Sequence, residues 1–335
     1  MSSHKKKLPV SGIADLHCHP LANIALGGQF LWGTPDGPIE HALSTCAPIH
    51  SVTNGLAGFL HINPNLPLVQ ATKNLLDSVI NSFLEPADTH FGFEKFDGWP
   101  KYTTITHQQM YLDWIKRAHD LGNLNLIVAT VVNDELISTA TGDSSKVPLD
   151  DKDSLDFQVE KIKEFVSKSG FMEIALTPEG ARNIIRLGKL AVVLGIEVGT
   201  INNFWHDPTN DEITTFLDHL KSLGVFHVIT IHLIDNVFGG TATYDDRFNV
   251  ENRILRGHYY ELEQDMSKKP VQIKLQNFGA IPGGETVVSA LTDVLNITKG
   301  HLKYSQDTNT IKMEKMYNAP IRAGAGWCVT EMVSE

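Results

Sequence analysis

Two histidines near the N-terminus, His17 and His19, have the spacing of a metal-binding pair. They follow the short apolar run Ile13-Ala14, and a proline comes directly after them. Residues two apart on a strand point to the same side of the sheet, so both imidazoles can reach one ion. Neutral imidazole is a good ligand for zinc and similar divalent metals. Ile13 to Cys18 is therefore predicted to be a strand that presents two ligands; the alternative is a pair of ordinary histidines.

Two later apolar runs also end in a residue that can ligate a metal. Leu190 to Ile196 is followed by Glu197, and Val225 to Ile231 is followed by His232. Continuous apolar runs are typical of strands that are buried on both faces of a parallel sheet. In a parallel barrel, catalytic residues lie at the carboxyl ends of the strands. We therefore predict that these two residues and the histidine pair face one site.

Glu197 and His232 each allow more than one role. Glu197 follows a wholly apolar strand, and a carboxylate there can bridge two metal ions; the alternative is a solvated loop glutamate. His232 can be a ligand, or it can bind the substrate and stabilise a developing oxyanion. It can also be a core histidine that is bonded to a backbone carbonyl.

Polar neighbours of these residues are candidates for supporting roles. Asp15 precedes His17 on the same face of the strand, where it can orient a ligand imidazole or simply lie on the pleat. Asp235 and Asn236 follow His232 and can orient it or bind polar groups of the substrate. Four other histidines are expected to be packing or surface residues: His107, His119, His219 and His227.

The elements that must position these residues alternate between strand and helix. Apolar spacing predicts helices at 67–85, 106–121, 152–169, 178–187 and 210–223, with Thr106 as a cap and Gly122 and Gly224 as stops. Leu124 to Val132 is predicted to be a further buried strand. This alternation indicates an α/β architecture with right-handed crossovers.

The last third of the chain does not continue this alternation of strands and helices. A βαβ unit needs about 30 residues, yet the roughly 100 residues after Ile231 hold no four further buried strands. Residues 20–66 and 237–260 are expected to be long loops. The short runs Val271–Leu275 and Ile311–Met313 and a helix at 285–296 are the remaining candidates for regular structure.

Composition limits the classes of function. The chain has 335 residues and a net charge of −11, which argues against a nucleic-acid or anionic-membrane surface. No apolar run approaches the ~18 residues of a membrane span. The three cysteines lie far apart and show no disulfide framework, which favours a reducing compartment. A cytoplasmic location is expected because the sequence shows neither a signal-peptide pattern nor a membrane segment.

Four ordered blocks, which together cover roughly residues 12–250, resemble a known family. ADLHCHP, LAVVLGIEVGT and GVFHVITIHLIDNVFGG resemble the membrane (renal) dipeptidases, which are amidohydrolase-type metal barrels. GWPKYTTITHQQMYLDWIKRAHD is similar to the long bacterial-type relatives. The resemblance implies a (β/α)8 barrel with a binuclear zinc centre that hydrolyses dipeptides, some β-lactams or related amides.

The resemblance also implies roles for single residues. His17 and His19 match the first-strand ligands, although dipeptidases usually have His-x-Asp there. Glu197 matches the glutamate that bridges the metals. His232 matches the histidine that contacts the substrate near the scissile group and is not itself a ligand.

The family takes two further histidine ligands and a catalytic aspartate from later strands. Relatives carry an Asp-x-His-Met-Ser block after a helix that resembles AGWCVTEMV, and this chain ends there, at Glu335. His258 and His301 lie in loop-like sequence without matching context.

The expected fold is thus a TIM-type (β/α)8 metal-dependent hydrolase barrel, incomplete at the C-terminus. Residues 1–12 would form a flexible tail and 13–335 one domain with long insertions at 20–105 and 237–310.

Three hypotheses follow for the function. The first is a hydrolase with one or two zinc ions that cleaves a peptide or other amide bond in a small, dipeptide-like substrate. The second is an ester or phosphoester hydrolase on the same site, since fold does not fix substrate. The third is a catalytically inactive, truncated relative with residual metal or partner binding. An unfinished barrel would expose strand edges, which favours a homo-oligomer.

Overall fold

The computed structural model describes residues 9–44, 92–96, 99, 107–241 and 246–256. Several sequence predictions lie outside these ranges. They are the helices at 67–85 and 285–296, the runs at 271–275 and 311–313, and the histidines at 258 and 301.

The described strands form one parallel sheet, as the apolar runs predict. The strands are β1 (Ile13–Cys18), β2 (Leu124–Asn133), β3 (Met172–Ile174), β4 (Leu190–Val198) and β5 (Val225–Ile229). β2 pairs with β1 on one side and with β4 on the other. β3 and β5 pair with the first and second halves of β4. The α/β class is confirmed, while closure into a barrel is not shown within the described part of the chain.

Helices connect and flank these strands. They are α1 (Ile39–Ala42), α2 (Leu112–Gly122), α3 (Glu135–Thr141), α4 (Asp151–Ser169), α5 (Pro178–Arg186), α6 (Asn210–Leu223) and α7 (Asp246–Arg256). Short 3-10 turns occur at Ala22–Ile24, Leu26–Gly28 and Ile201–Asn203. None of the described helices combines the length and apolar character needed to cross a membrane.

Capping residues explain why α4, α5 and α6 lie within one residue of their predicted bounds. The side chains of Asp150, Thr177 and Thr209 each accept a hydrogen bond from a backbone amide of the first turn. Gly170 and Gly224 end α4 and α6 in the left-handed conformation, which glycine adopts without steric cost.

Two helix predictions need correction. The helix predicted at 106–121 begins only at Leu112, because the segment before it makes other contacts: His107 forms a bridge with Trp32, and the Gln108 amide donates to the Pro20 carbonyl. The predicted loop at 237–260 contains α7. That helix buries polar side chains, so its sequence lacks an apolar stripe that would indicate a helix.

Two strand ends also differ from prediction. β4 continues to Val198, so Glu197 lies inside the strand rather than after it. β5 ends at Ile229 instead of Ile231, so His232 lies beyond the strand on irregular backbone. Ile231 continues the apolar pattern of the sequence beyond Ile229, but the strand pairing does not extend that far.

Successive side chains of β4 point to opposite faces of the sheet, so core residues and Glu197 lie on different faces. Ile196 and Val198 belong to the main core, in which the sheet packs against α4 and α6 through Leu155, Val159, Ile162, Phe216 and Leu220. Ala191 lies on the opposite face and packs against α5 through Ala181 and Ile184. Glu197 shares the face of Ala191 by the two-residue period, which keeps its carboxylate out of the main core.

The N-terminus of α6 allows a local test of the fold. Thr209 accepts from the Glu212 amide and Glu212 accepts from the Thr209 amide, which is a capping box. We expect Thr209→Ala to lower the free energy of unfolding by about 0.5–2 kcal/mol, measured by urea denaturation. Thr214→Ala, on the exposed middle of the same helix, should change it by less than about 0.5 kcal/mol. Equal losses in both variants would contradict the capping role.

Candidate metal centre

The structure brings together three of the residues that the sequence singles out. Potential ligand atoms of His17, His19 and Glu197 all lie within 4.8 Å of one another. The His17 Nε2 atom is 2.7 Å from Glu197 Oε2 and donates a hydrogen bond to it. The His19 Nε2 atom is 3.5 Å from the same oxygen. Two imidazoles and one carboxylate thus converge on a common point.

These side chains meet across the strand that separates them. β1 carries His17, and His19 directly follows the end of this strand. β4 carries Glu197, and β2 lies between β1 and β4. Glu197 is in register with Val132, close to the carboxyl end of β2. The pairing of β1 with β2 shifts between Asp15 and Cys18, the interval that contains His17. The site is therefore built at the carboxyl end of adjacent parallel strands.

A backbone contact fixes the orientation of His19. Its Nδ1 atom donates to the Thr130 carbonyl at 2.8 Å, which leaves the Nε2 lone pair facing Glu197. Such a hydrogen bond selects the tautomer that a metal needs and holds the ring in place. Burial lowers the pKa of the His19 imidazole, although the Thr130 carbonyl and Glu197 act in the opposite direction. The neutral, ligating form of the ring is favoured.

Glu197 is a buried carboxylate whose neighbours are imidazoles. It is only 8% exposed. Besides His17 and His19, His232 approaches the carboxylate, with its Nε2 atom 3.5 Å from Oε1. Within the described residues, its charged contacts are with histidines alone. Because a buried carboxylate needs a compensating charge, and His₂Glu is a ligand set that zinc accepts, these residues fit a divalent cation.

Cys18 lies between the two histidines but faces away from them. It is buried in the main core, and its thiol donates to the Val128 carbonyl. Burial, followed by the nearby charge of Asp15, raises the pKa of this thiol to about 12. The side chain stays protonated, so the centre offers nitrogen and oxygen donors without a thiolate.

His232 is positioned by a loop rather than by a strand. Its side chain is 16% exposed, so one edge of the ring remains accessible. Burial lowers the pKa of the His232 imidazole, while the charges of Glu197 and Asp134 partly offset that effect. A neutral imidazole beside the cluster can donate one hydrogen bond to a bound molecule.

Asp15 and Asn236 make contacts other than those considered in the sequence. The Asp15 carboxylate accepts from the backbone amide of His17 at 3.1 Å and so shapes the strand. An additional contact of Asp15 with a ligand imidazole stays a prediction. Asn236 is buried, and its amide binds backbone groups of the chain. Its role in substrate binding also stays a prediction.

Sequence reasoning missed a buried acidic group beside the centre. Asp134, which directly follows β2, hydrogen-bonds to Glu251 of α7, and both residues are less than 9% exposed. Asp151 at the start of α4 accepts from the Thr200 amide. The Arg256 guanidinium donates to the Thr200 hydroxyl and stacks on a tryptophan ring. The signal that could have revealed this group is the run of polar residues that ends the apolar strand β2.

Burial controls the protonation of these acids. It raises the pKa of Asp134, and it raises those of Asp151 and Glu251 well above their ordinary values. Arg256 lowers the pKa of Glu251, but this attraction is weaker than the effect of burial. Two buried carboxyl groups that share a hydrogen bond must hold at least one proton between them.

Comparisons with protein-family models, with curated proteins and with solved structures each give no match for this chain.

Proposed function

We propose that this protein is a zinc-dependent hydrolase of the dipeptidase or amidohydrolase type. The observation that carries the proposal is the convergence of His17, His19 and Glu197 at the carboxyl end of the parallel sheet. The proposed fold is a (β/α)8 barrel in which β1, β2, β4 and β5 are successive strands. Their parallel pairing in this order supports that arrangement.

The chain supplies distinct parts of the reaction. His17, His19 and Glu197 would hold the metal. When bound there, zinc supplies Lewis-acid chemistry, which polarises a carbonyl and activates water at neutral pH. His232 donates a hydrogen bond from its ring to the substrate oxygen that gains negative charge, which stabilises the transition state more than the ground state.

The substrate class follows from the donor set and from the sequence blocks. A nitrogen–oxygen site with three protein ligands is typical of hydrolytic zinc centres. The segments that carry these ligands resemble membrane dipeptidases, which favours a dipeptide or a related small amide. Esters and phosphoesters remain competing substrates, because the same centre can polarise their oxygens.

Metal removal and reconstitution test the proposal. Purified protein is dialysed against a chelator, reloaded with zinc and assayed on dipeptides, a p-nitrophenyl ester and a p-nitrophenyl phosphodiester. We expect dipeptide hydrolysis that disappears on chelation and returns with zinc, together with bound zinc measured by mass spectrometry. Turnover of the ester or phosphodiester alone would favour the second substrate class. Absence of both zinc and turnover would refute the enzyme proposal.

A further inference from the structure

His232 requires a positioning device that the sheet does not provide. β5 ends at Ile229, so no strand pairing fixes the backbone at His232. Its Nε2 atom nevertheless lies 3.5 Å from Glu197 Oε1. Residues 230–241 must therefore hold the ring in place through their own contacts.

Asn236 makes the contacts that such a device needs. Its Nδ2 group donates to the Thr230 carbonyl at 2.8 Å and to the Gly199 carbonyl at 3.2 Å. Thr230 lies just before His232 in the chain, and Gly199 lies just after Glu197. One amide group thus ties together the two backbone segments that carry the two site residues.

The remaining polar atoms of Asn236 also form hydrogen bonds. Its Oδ1 atom accepts from the Phe238 amide at 2.9 Å, and its backbone exchanges hydrogen bonds with Gly239. The residue is only 6% exposed. Both polar atoms of the side chain are therefore used inside the protein, which leaves neither of them open to a substrate.

We infer that Asn236 is a positioning residue that holds His232 against Glu197, rather than a group that binds substrate. Two further contacts complete the same loop. Thr241 donates its hydroxyl to the His232 carbonyl at 3.0 Å, and its amide donates to Asp235 Oδ1 at 3.0 Å. The Asp235 amide donates to Asn252 of α7.

The kinetic part of this inference rests on the proposed function. Asn236→Ala should lower kcat by up to ~100-fold, the loss expected from a displacement of about 1 Å at a catalytic group. KM should stay within about twofold, and bound zinc should not change, because the side-chain hydrogen bonds that are lost join Asn236 to Gly199, Thr230 and Phe238 and not to the proposed ligands. A rise in KM with unchanged kcat would instead show substrate binding and overturn the inference.

Asn133→Ala is the matched control. Asn133 is also fully buried, and its amide also makes three hydrogen bonds, to the Leu149 carbonyl, Asp151 and Ser138. These contacts fasten α3 and α4 and do not involve the loop at 230–241. We expect a comparable loss of stability with kcat retained. Equal losses of kcat in both variants would mean that Asn236 acts on stability alone.

A second readout does not depend on activity. Protein labelled with ¹⁵N-histidine gives ring signals in NMR spectra, and His232→Gln assigns those of His232. Asn236→Ala should shift or broaden the His232 signals and leave those of His119 unchanged. Unchanged His232 signals would overturn the inference even if the wild-type protein hydrolyses no substrate, whereas shifted signals without any turnover would refute only the proposed function.

If Asn236→Ala does not fold, Thr241→Val provides a second test of the same inference. This substitution preserves side-chain shape and removes only the hydrogen bond to the His232 carbonyl. The same His232 signals should shift, and kcat should fall while KM stays constant. A folded Thr241→Val protein with wild-type His232 signals would overturn the proposed loop mechanism.

Discussion

Glu197→Gln should abolish zinc binding and hydrolysis while the protein remains folded. Glu197 Oε2 lies within 3.5 Å of the Nε2 atoms of His17 and His19, and Oε1 faces His232. An amide of the same shape removes the negative charge that offsets the cation. Loss of a residue that only supports a ligand typically costs 10–100-fold in metal affinity, so loss of the carboxylate itself should cost at least ~100-fold.

The measurement combines zinc titration with dipeptide turnover at several zinc concentrations. Glu173→Gln is a suitable control, since Glu173 lies on the neighbouring strand β3 and pairs with Lys189 at the surface. It should retain zinc and activity. Retained zinc and turnover in Glu197→Gln would refute the assignment of the metal centre.

Glu251→Gln should stabilise the protein at neutral pH. Asp134 and Glu251 share a hydrogen bond in a buried site, with Asp151 and Arg256 as charged neighbours. An amide at position 251 donates to the Asp134 carboxylate without a bound proton. An unperturbed glutamate is ionised at pH 7, so folding of the wild type must take up a proton at this pair, and the substitution removes that cost. We expect a gain of at least about 1 kcal/mol, the equivalent of roughly one pKa unit.

The sign of the pH dependence follows from the raised pKa values of these acids. A carboxyl whose folded-state pKa exceeds its ordinary value, 3.8 for Asp134 and 4.5 for Glu251, binds protons more tightly in the folded protein. Its contribution to stability is complete below the ordinary pKa and is lost as the pH rises through the folded-state pKa. The free energy of unfolding of the wild type should thus lose this contribution on the alkaline side.

Urea denaturation between pH 4.5 and 9 measures both effects. Glu251→Gln should gain most at high pH and show a flatter dependence than the wild type. Glu160→Gln, an exposed control on α4, should follow the wild-type curve. A Glu251→Gln protein with the wild-type slope and no gain in stability would show that the pair does not hold the proton.

The elements whose ends are marked by local sequence features could be predicted from the sequence. β1 has its predicted bounds, and α6 begins and ends at the predicted residues because Thr209 and Gly224 mark its ends. The histidine pair and Glu197 could be placed at one site because parallel strands bring their carboxyl ends to one edge. These features depend on local spacing, which can be read from the sequence, and on strand direction, which follows from the alternation of strands and helices.

Features that depend on buried polar contacts could not be predicted in this way. α7 buries Glu251, Asn252 and Arg256, which sequence patterns assign to loops or surfaces. The end of β5 depends on the turn around Asn236, whose hydrogen bonds replace strand pairing after Ile229. Such contacts depend on single polar atoms, and some join residues that are distant in the chain, such as Asn236 and Gly199. Apolar periodicity therefore does not predict them.

The register of β1 determines which side chains face Glu197 and which face the core. The chain places the Cys18 thiol in the core and the imidazoles of the two flanking residues, His17 and His19, beside Glu197. Moving the strand by one residue would exchange these faces, so the face of Glu197 would gain one sulfur donor and the core would receive two polar rings. A single-residue insertion or deletion before His17 would thus change the donor atoms of the proposed metal centre. Variation in the length of the chain at this point should be far less tolerated than substitution at most positions of the same strand.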